Sequence, residues 1–139
     1  MNHLFPNFPH DLCITEHHLK ALELQNICID HYCLGAHLCR TVYAKSGVVI
    51  YTLSTVRLTP INLSKFCTEK DIEIFAVKIE VHTSELCILT VYRSPTGNFN
   101  SFLEIIDAAL QSVYSPSLAV IICGDININY LETNEQRKQ

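Results

Sequence analysis

Between Phe75 and Tyr92 the chain is written for a β-hairpin, and that commits everything around it to building on a sheet. Phe75, Val77, Ile79 and Val81 alternate with Ala76, Lys78 and Glu80, the period of two that sends successive side chains to opposite faces of a half-buried strand. A polar turn, His82-Thr-Ser-Glu85, leads into Leu86-Cys-Ile-Leu-Thr-Val-Tyr92, so the two runs are predicted to pair antiparallel. A sheet of this kind needs further strands, and a layer to cover its apolar face.

The flanking sequence supplies them. Asp11-Leu-Cys-Ile-Thr15 reads as a short buried strand ending on Glu16, and His17 to Gln25 as a short helix with Leu19, Ala21 and Leu22 on its apolar side. Ile27 to Ser46 is compatible with two short strands, Gly47 to Leu53 is a clearer one, and Val56 to Lys70 is predicted to be a connection containing Pro60. Arg93-Ser-Pro-Thr-Gly97 is a loop by its turn residues. Asn100 is expected to cap a helix whose Phe102, Ile106, Ala109, Leu110 and Val113 form one stripe. After Ser115-Pro116-Ser117 comes Leu118-Ala-Val-Ile-Ile-Cys123, read as a buried strand. The expected organisation is an irregular segment 1–10, a domain over 11–131 and a polar tail 132–139. Its class is α/β or α+β, with mixed, mostly antiparallel strands.

Composition narrows the partners. A formal net charge of −4 is too acidic for a chain that grips nucleic acid by bulk electrostatics, so any such contact has to be local or metal-mediated. The cysteine count is odd at seven, and Met1-Asn-His-Leu-Phe-Pro6 lacks the basic, then apolar, pattern of a leader peptide. A reducing intracellular setting, nuclear or cytoplasmic, is the expectation. No run approaches the roughly 18 apolar residues of a membrane span, so no membrane partner is expected.

Polar residues collect where strands stop. Thr15-Glu16 follows the first strand, Tyr92-Arg93 the hairpin, and Gly124-Asp125-Ile126-Asn127 the last strand. Acids and amides at the carboxyl ends of strands can meet a metal or phosphate without being buried. Extended geometry would put Asp125 and Asn127 on one side, with Ile126 facing the other way.

In this order, Ile14-Thr15-Glu16-His17-His18, Tyr92-Arg93-Ser94-Pro95 with Gly97 and the Phe102-Leu103 helix, and Ile121-Ile122-Cys123-Gly124-Asp125-Ile126-Asn127 resemble the endonuclease/exonuclease/phosphatase superfamily. In detail they resemble the endonuclease domain of non-LTR retrotransposons. The resemblance runs from about Asp11 to about Leu131 and implies part of a four-layer α/β sandwich of two packed sheets. It implies metal-assisted phosphodiester hydrolysis, with DNA as the partner and Mg²⁺, or Mn²⁺, as the cofactor. Glu16 would hold the ion. Asp125 would position and deprotonate the attacking water, Asn127 would orient the phosphate, Tyr92 would contact it and Arg93 would add a donor. Mg²⁺ takes oxygen ligands, typically one or two carboxylates with retained waters and substrate phosphate, so a single well-placed Glu can suffice.

The family's opening strand, which ends in a metal-binding Asn, and its closing Ser-Asp-His motif have no counterpart here. The chain therefore reads as the amino-terminal and central part of an endonuclease domain from a retrotransposon-derived reverse transcriptase polyprotein, with weak or absent hydrolysis alone. A second reading is a catalytically dead remnant that acts as an interaction module or has no function, with self-association through an exposed sheet edge. A weaker third is a phosphomonoesterase of the same superfamily. Taken singly, each residue has a plainer reading: Asp125 and Asn127 as turn formers, Glu16 as a first-turn acid and Tyr92 as a strand-end aromatic. Cys28, Cys33 and Cys39 with His31 and His37 lack the paired spacing of structural zinc, and Cys13, Cys87 and Cys123 read as core.

Overall fold

The predicted hairpin is the spine of the fold. In a computed structural model that describes residues 9–39, 47–68, 71–81 and 84–128, β5 (Ile72–Val81) and β6 (Ser84–Arg93) pair antiparallel from Ile72↔Arg93 to Val81↔Ser84. They sit in the middle of a four-stranded sheet of order β4-β5-β6-β7. The expected half-buried alternation holds only at the far end of β5, where Lys78 pairs with Glu85 at 2.9 Å and Glu80 is exposed. Nearer its start the strand is buried on both faces. Ile72, Ile74 and Ala76 pack under a helix, while Val77 and Ile79 face a second sheet.

That helix is α2 (Phe99–Val113), and its cap is Asn98 rather than Asn100. The Ser101 N–H donates to Asn98 Oδ1 at 2.9 Å, the side-chain cap that starts a helix. Phe102 and Ala109 are buried, and Ile106, Leu110 and Val113 pack beside them on the sheet, as the helical stripe predicts. Full burial of each large side chain contributes about 1.5–3 kcal/mol. α2 carries the chain across to β7 (Leu118–Asp125), which runs parallel to β6 with Tyr92 beside Asp125.

The second sheet has the order β1-β3-β2, with β1 spanning Asp11–Thr15, β2 Tyr32–Leu38 and β3 Val48–Leu53. Its central strand β3 is buried from Val48 to Thr52. A bulge between Leu34 and Ala36 lets Gly35 approach the other sheet, where a Cβ would lie 2.9 Å from Leu58 Cδ1. Ala36 and Ile50 meet Val77, Ile79 and Ile88 to form the layer between sheets. On the outer face, Leu24 of α1 (Ala21–Leu24) packs on Val49 and Tyr51. Helix, sheet, sheet, helix are the expected four layers.

Three readings change. The segment Val56 to Lys70 is not only connection: Arg57–Ile61 is β4, an edge strand, where Pro60 is tolerated because one side of an edge strand has no ladder to donate to. The helix expected over His17–Gln25 shrinks to Ala21–Leu24, since Glu16 and His18 adopt φ of 53° and 57°. Of the two short strands expected over Ile27–Ser46, one is β2, and residues 40–46 lie outside the described residues. Among the described residues β7 is not a buried strand but the sheet's edge, with Val120, Ile121 and Ile122 37%, 50% and 49% exposed. Residues 1–8 and the predicted tail 132–139 fall outside the described residues. No helix among the described residues is long and apolar enough to cross a membrane.

Candidate active site at the strand ends

The parallel pairing of β6 with β7 sets the site. Successive residues of a strand face opposite ways, so Tyr92 and Arg93 part company at the end of β6. Ile88, on the same side of β6 as Tyr92, lies between the sheets, whereas Leu89 and Val91, on the side of Arg93, lie under α2. Across the sheet, Tyr92 is flanked by Asp125 on β7 and by Glu73 on β5. Tyr92 is buried and Glu73 is 2% exposed, so a carboxylate, a phenol and a second carboxylate form one row.

Glu73 went unrecognised in the sequence, although an acid inside Ile72-Glu-Ile-Phe75 was the available signal. A fully buried carboxylate is uncommon unless it is paired.

The structure gives Arg93 a task different from the expected phosphate contact. It is 1% exposed, with Nε donating to the Ile126 carbonyl at 2.8 Å, Nη1 to Gly97 at 2.7 Å and Nη2 to Asn127 at 2.8 Å. The guanidinium carbon also lies 5.4 Å from the Phe99 ring centre. Asn127 returns the contact, its Nδ2 donating to the Arg93 carbonyl at 2.6 Å. Arg93 is therefore a strut that ties the loop after β7 to the loop before α2. A planar fork of donors suits that work better than an ammonium.

Asp125 and Asn127 are neighbours, but not by the extended geometry expected. The strand ends at Asp125; Asn127 then turns with φ 50°, and its N–H donates to Asp125 Oδ1 at 2.9 Å. Ile126 does face away, packing toward α2. Gly124, at φ 134°, has room only for hydrogen: a Cβ there would overlap the Val91 carbonyl oxygen. Asp125, Asn127, Cys123 and Gly124, with Val91 of β6, line an open cleft of about 330 Å³ at the end of β7.

Glu16 stands just past the end of β1, exposed, in a left-handed conformation. Its strand β1 runs against β7, with Cys13, three residues before Glu16, and Cys123, two before Asp125, packed on the same layer between the sheets. The structure thus gathers Tyr92, Arg93, Asp125 and Asn127 at one sheet end and ties the Glu16 strand to β7. Glu16, Asp125 and Asn127 offer oxygen donors, the chemistry that Mg²⁺ and Mn²⁺ take. Among the described residues no three His, Cys, Asp or Glu side chains gather into a cage, so an ion would lean on one or two carboxylates.

No protein-family model and no curated protein sequence matches the chain. Solved structures do. The endonuclease domain of TRAS1, a telomere-specific non-LTR retrotransposon, superposes with a TM-score of 0.59 at 16% identity, over 79% of this chain and 49% of that one. The fold is that of the endonuclease/exonuclease/phosphatase domains. A humanized D. rerio TDP2 carrying 14 mutations matches with a TM-score of 0.61 at 15% identity, over 88% of this chain and 54% of that one. D. rerio TDP2 complexed with single-strand DNA product does so equally well at 15% identity, over 87% and 49%. The chain spans about half the length of the structures it matches, and the likeness is to a nuclease-like fold.

Proposed function

We propose that the chain is part of a metal-dependent phosphodiesterase domain that acts on DNA, of the retrotransposon endonuclease kind. The observation that carries the reading is the pairing of Tyr92 with Asp125, with Asn127 pinned beside them at the open end of β7, on the fold that TRAS1 endonuclease and TDP2 share. The DNA product held by one of those neighbours favours DNA over a phosphomonoester. Mg²⁺ or Mn²⁺ would supply Lewis-acid polarisation of the phosphate, and Glu16 with Asp125 would hold it.

The remaining chemistry belongs to side chains already in place. Asp125 accepts a proton from a water on its open side while the Asn127 N–H fixes its other oxygen. Asn127 offers its side-chain oxygen toward the cleft because Nδ2 is committed to Arg93. Tyr92 stands beside Asp125 to donate to a phosphate oxygen.

With supercoiled plasmid and Mg²⁺ or Mn²⁺ the chain should produce nicked circles slowly, and Glu16→Ala or Asp125→Ala should abolish them. Absence of nicking at high protein concentration, with the fold intact, removes the activity. A second reading, an interaction module that associates with itself through a sheet edge, is favoured by one observation: among the described residues β7 is an edge strand, with Ile121 and Ile122 about half exposed. A monomer by light scattering at high concentration would rule it out.

A further inference from the structure

Arg93 and Asn127 hold each other at both ends. Asn127 Nδ2 donates to the Arg93 carbonyl at 2.6 Å, and Arg93 Nη2 donates to the Asn127 carbonyl at 2.8 Å. The Asn127 N–H donates in turn to Asp125 Oδ1 at 2.9 Å. With its N–H, its carbonyl and Nδ2 committed, Asn127 has Oδ1 left to offer the cleft it lines with Asp125. The other guanidinium nitrogens fix the frame: Nε donates to the Ile126 carbonyl at 2.8 Å, and Nη1 to the Gly97 carbonyl at 2.7 Å. Gly97 immediately precedes Asn98, the cap of α2, and Phe99 of that helix lies against the guanidinium.

We propose that Arg93 is a positioning residue of the cleft: its guanidinium carries the fixed frame of α2 to the turn after β7, and so sets where Asn127 Oδ1 and the outward oxygen of Asp125 point. The effect on rate rests on the phosphodiesterase reading; the effect on geometry does not. Arg93 touches neither substrate nor metal in this role. It is 1% exposed, and Nε, Nη1 and Nη2 each donate to a carbonyl, so the fork that would grip a phosphate is already filled.

The turn needs such a hold. Asn127 sits at φ 50°, a left-handed conformation that Asn tolerates better than most residues but does not require. The carbonyls that Arg93 holds belong to Ile126 and Asn127, the two residues directly after Asp125. Without the guanidinium, water takes those carbonyls and the turn is free to relax toward extended backbone. The Asn127 N–H then leaves Asp125 Oδ1, Nδ2 leaves the Arg93 carbonyl, and both side chains turn in the cleft. Removing a group that orients a site's own ligands typically lowers activity about 10–100-fold, and small misplacements of reacting groups have effects of that order.

The test reads rate and geometry on the full chain. Nicking of supercoiled plasmid with Mn²⁺ gives kcat and KM, and ¹⁵N-labelled protein gives the side-chain amide of Asn127, assigned by its loss in Asn127→Ala. Arg93→Met should lower kcat by about 10–100-fold with KM and DNA affinity unchanged. It should also shift the Asn127 side-chain amide and speed exchange of the Asn127 N–H. Combined with Asn127→Ala, it should give a loss well short of the product of the two single losses. Arg93→Lys, which keeps the charge but not the fork, should fall between and carries the same test where Arg93→Met does not fold. An unmoved Asn127 amide, a raised KM or weakened DNA binding with kcat kept, or losses that multiply in the double variant would overturn the proposal. A native chain that does not nick removes the phosphodiesterase reading instead, and the Asn127 amide then decides the proposal alone.

Discussion

Replacing Arg93 with methionine separates a strut from a phosphate ligand. Methionine keeps most of the apolar stem that lies by Phe99 but deletes the donors to Ile126, Gly97 and Asn127. Hydrogen bonds from a charged group contribute about 1.5–3 kcal/mol each, so three would total about 4.5–9 kcal/mol if they were independent. They are not, and removing the buried cation returns part of its desolvation cost, several kcal/mol per ion. Water also reaches the freed carbonyls at the loop surface. The net loss should be about 3 kcal/mol, a large share of the roughly 5–15 kcal/mol that holds a domain folded. Arg93→Lys, with one point charge for three carbonyls, should lose more than half as much. Urea unfolding at constant m gives the free energy, and amide exchange at residues 124–128 should rise in both variants while β5 and β6 stay protected. Variants within 0.5 kcal/mol of the native chain (a margin of about that size is ordinary for surface changes), with unchanged exchange, would refute the strut. Weakened DNA binding in those same variants would return Arg93 to the phosphate.

Gly124→Ala should cost about 3 kcal/mol or more, because φ 134° and the overlap with the Val91 carbonyl force β7 to shift at the residue before Asp125; urea unfolding within 0.5 kcal/mol of the native value, about the surface-substitution range, would refute it. Asp11 is a stability liability at neutral pH. Its Oδ1 is buried without a hydrogen-bond partner, and burial raises its pKa above 3.8. A raised folded-state value means its contribution is fully present below pH 3.8 and is lost as pH rises through the folded value. Asp11→Asn should therefore stabilise the chain by about 0.5–1 kcal/mol at pH 7, after screening by partial exposure, and by nothing at pH 3; an equal effect at both pH values by thermal unfolding would contradict this.

Where a period repeats over several residues, sequence and structure largely coincide: the apolar run of β6 and the stripe of α2 each report a buried face, while the alternation of β5 finds one buried face but misses the second near its start. Burial that depends on what lies beyond the element did not show. Ile121 and Ile122 look like core residues in any window, yet they are exposed because no strand among the described residues pairs outside β7. Pro60 masked β4 because its tolerance depends on edge position. The residues before Ala21 that were expected to be helical are not, because the backbone is left-handed at Glu16 and His18, which neither residue type signals. At the site, the alternation of side chains along a strand sends Tyr92 and Arg93 to opposite faces, a difference the sequence reading did not draw. Glu73 was hidden by neighbours that read as uniform strand.

The most direct test of the candidate site is titration of the ¹⁵N-labelled chain with Mn²⁺, whose unpaired electrons broaden amides around the bound ion. Selective broadening at His17, Asp125, Ile126 and Asn127, with the distant hairpin end near Lys78 and Glu85 spared, is the predicted result, and Glu16→Gln or Asp125→Asn should each remove it. Broadening spread over the acidic surface, or unchanged in both variants, would contradict the placement of Glu16 and Asp125 around one cation.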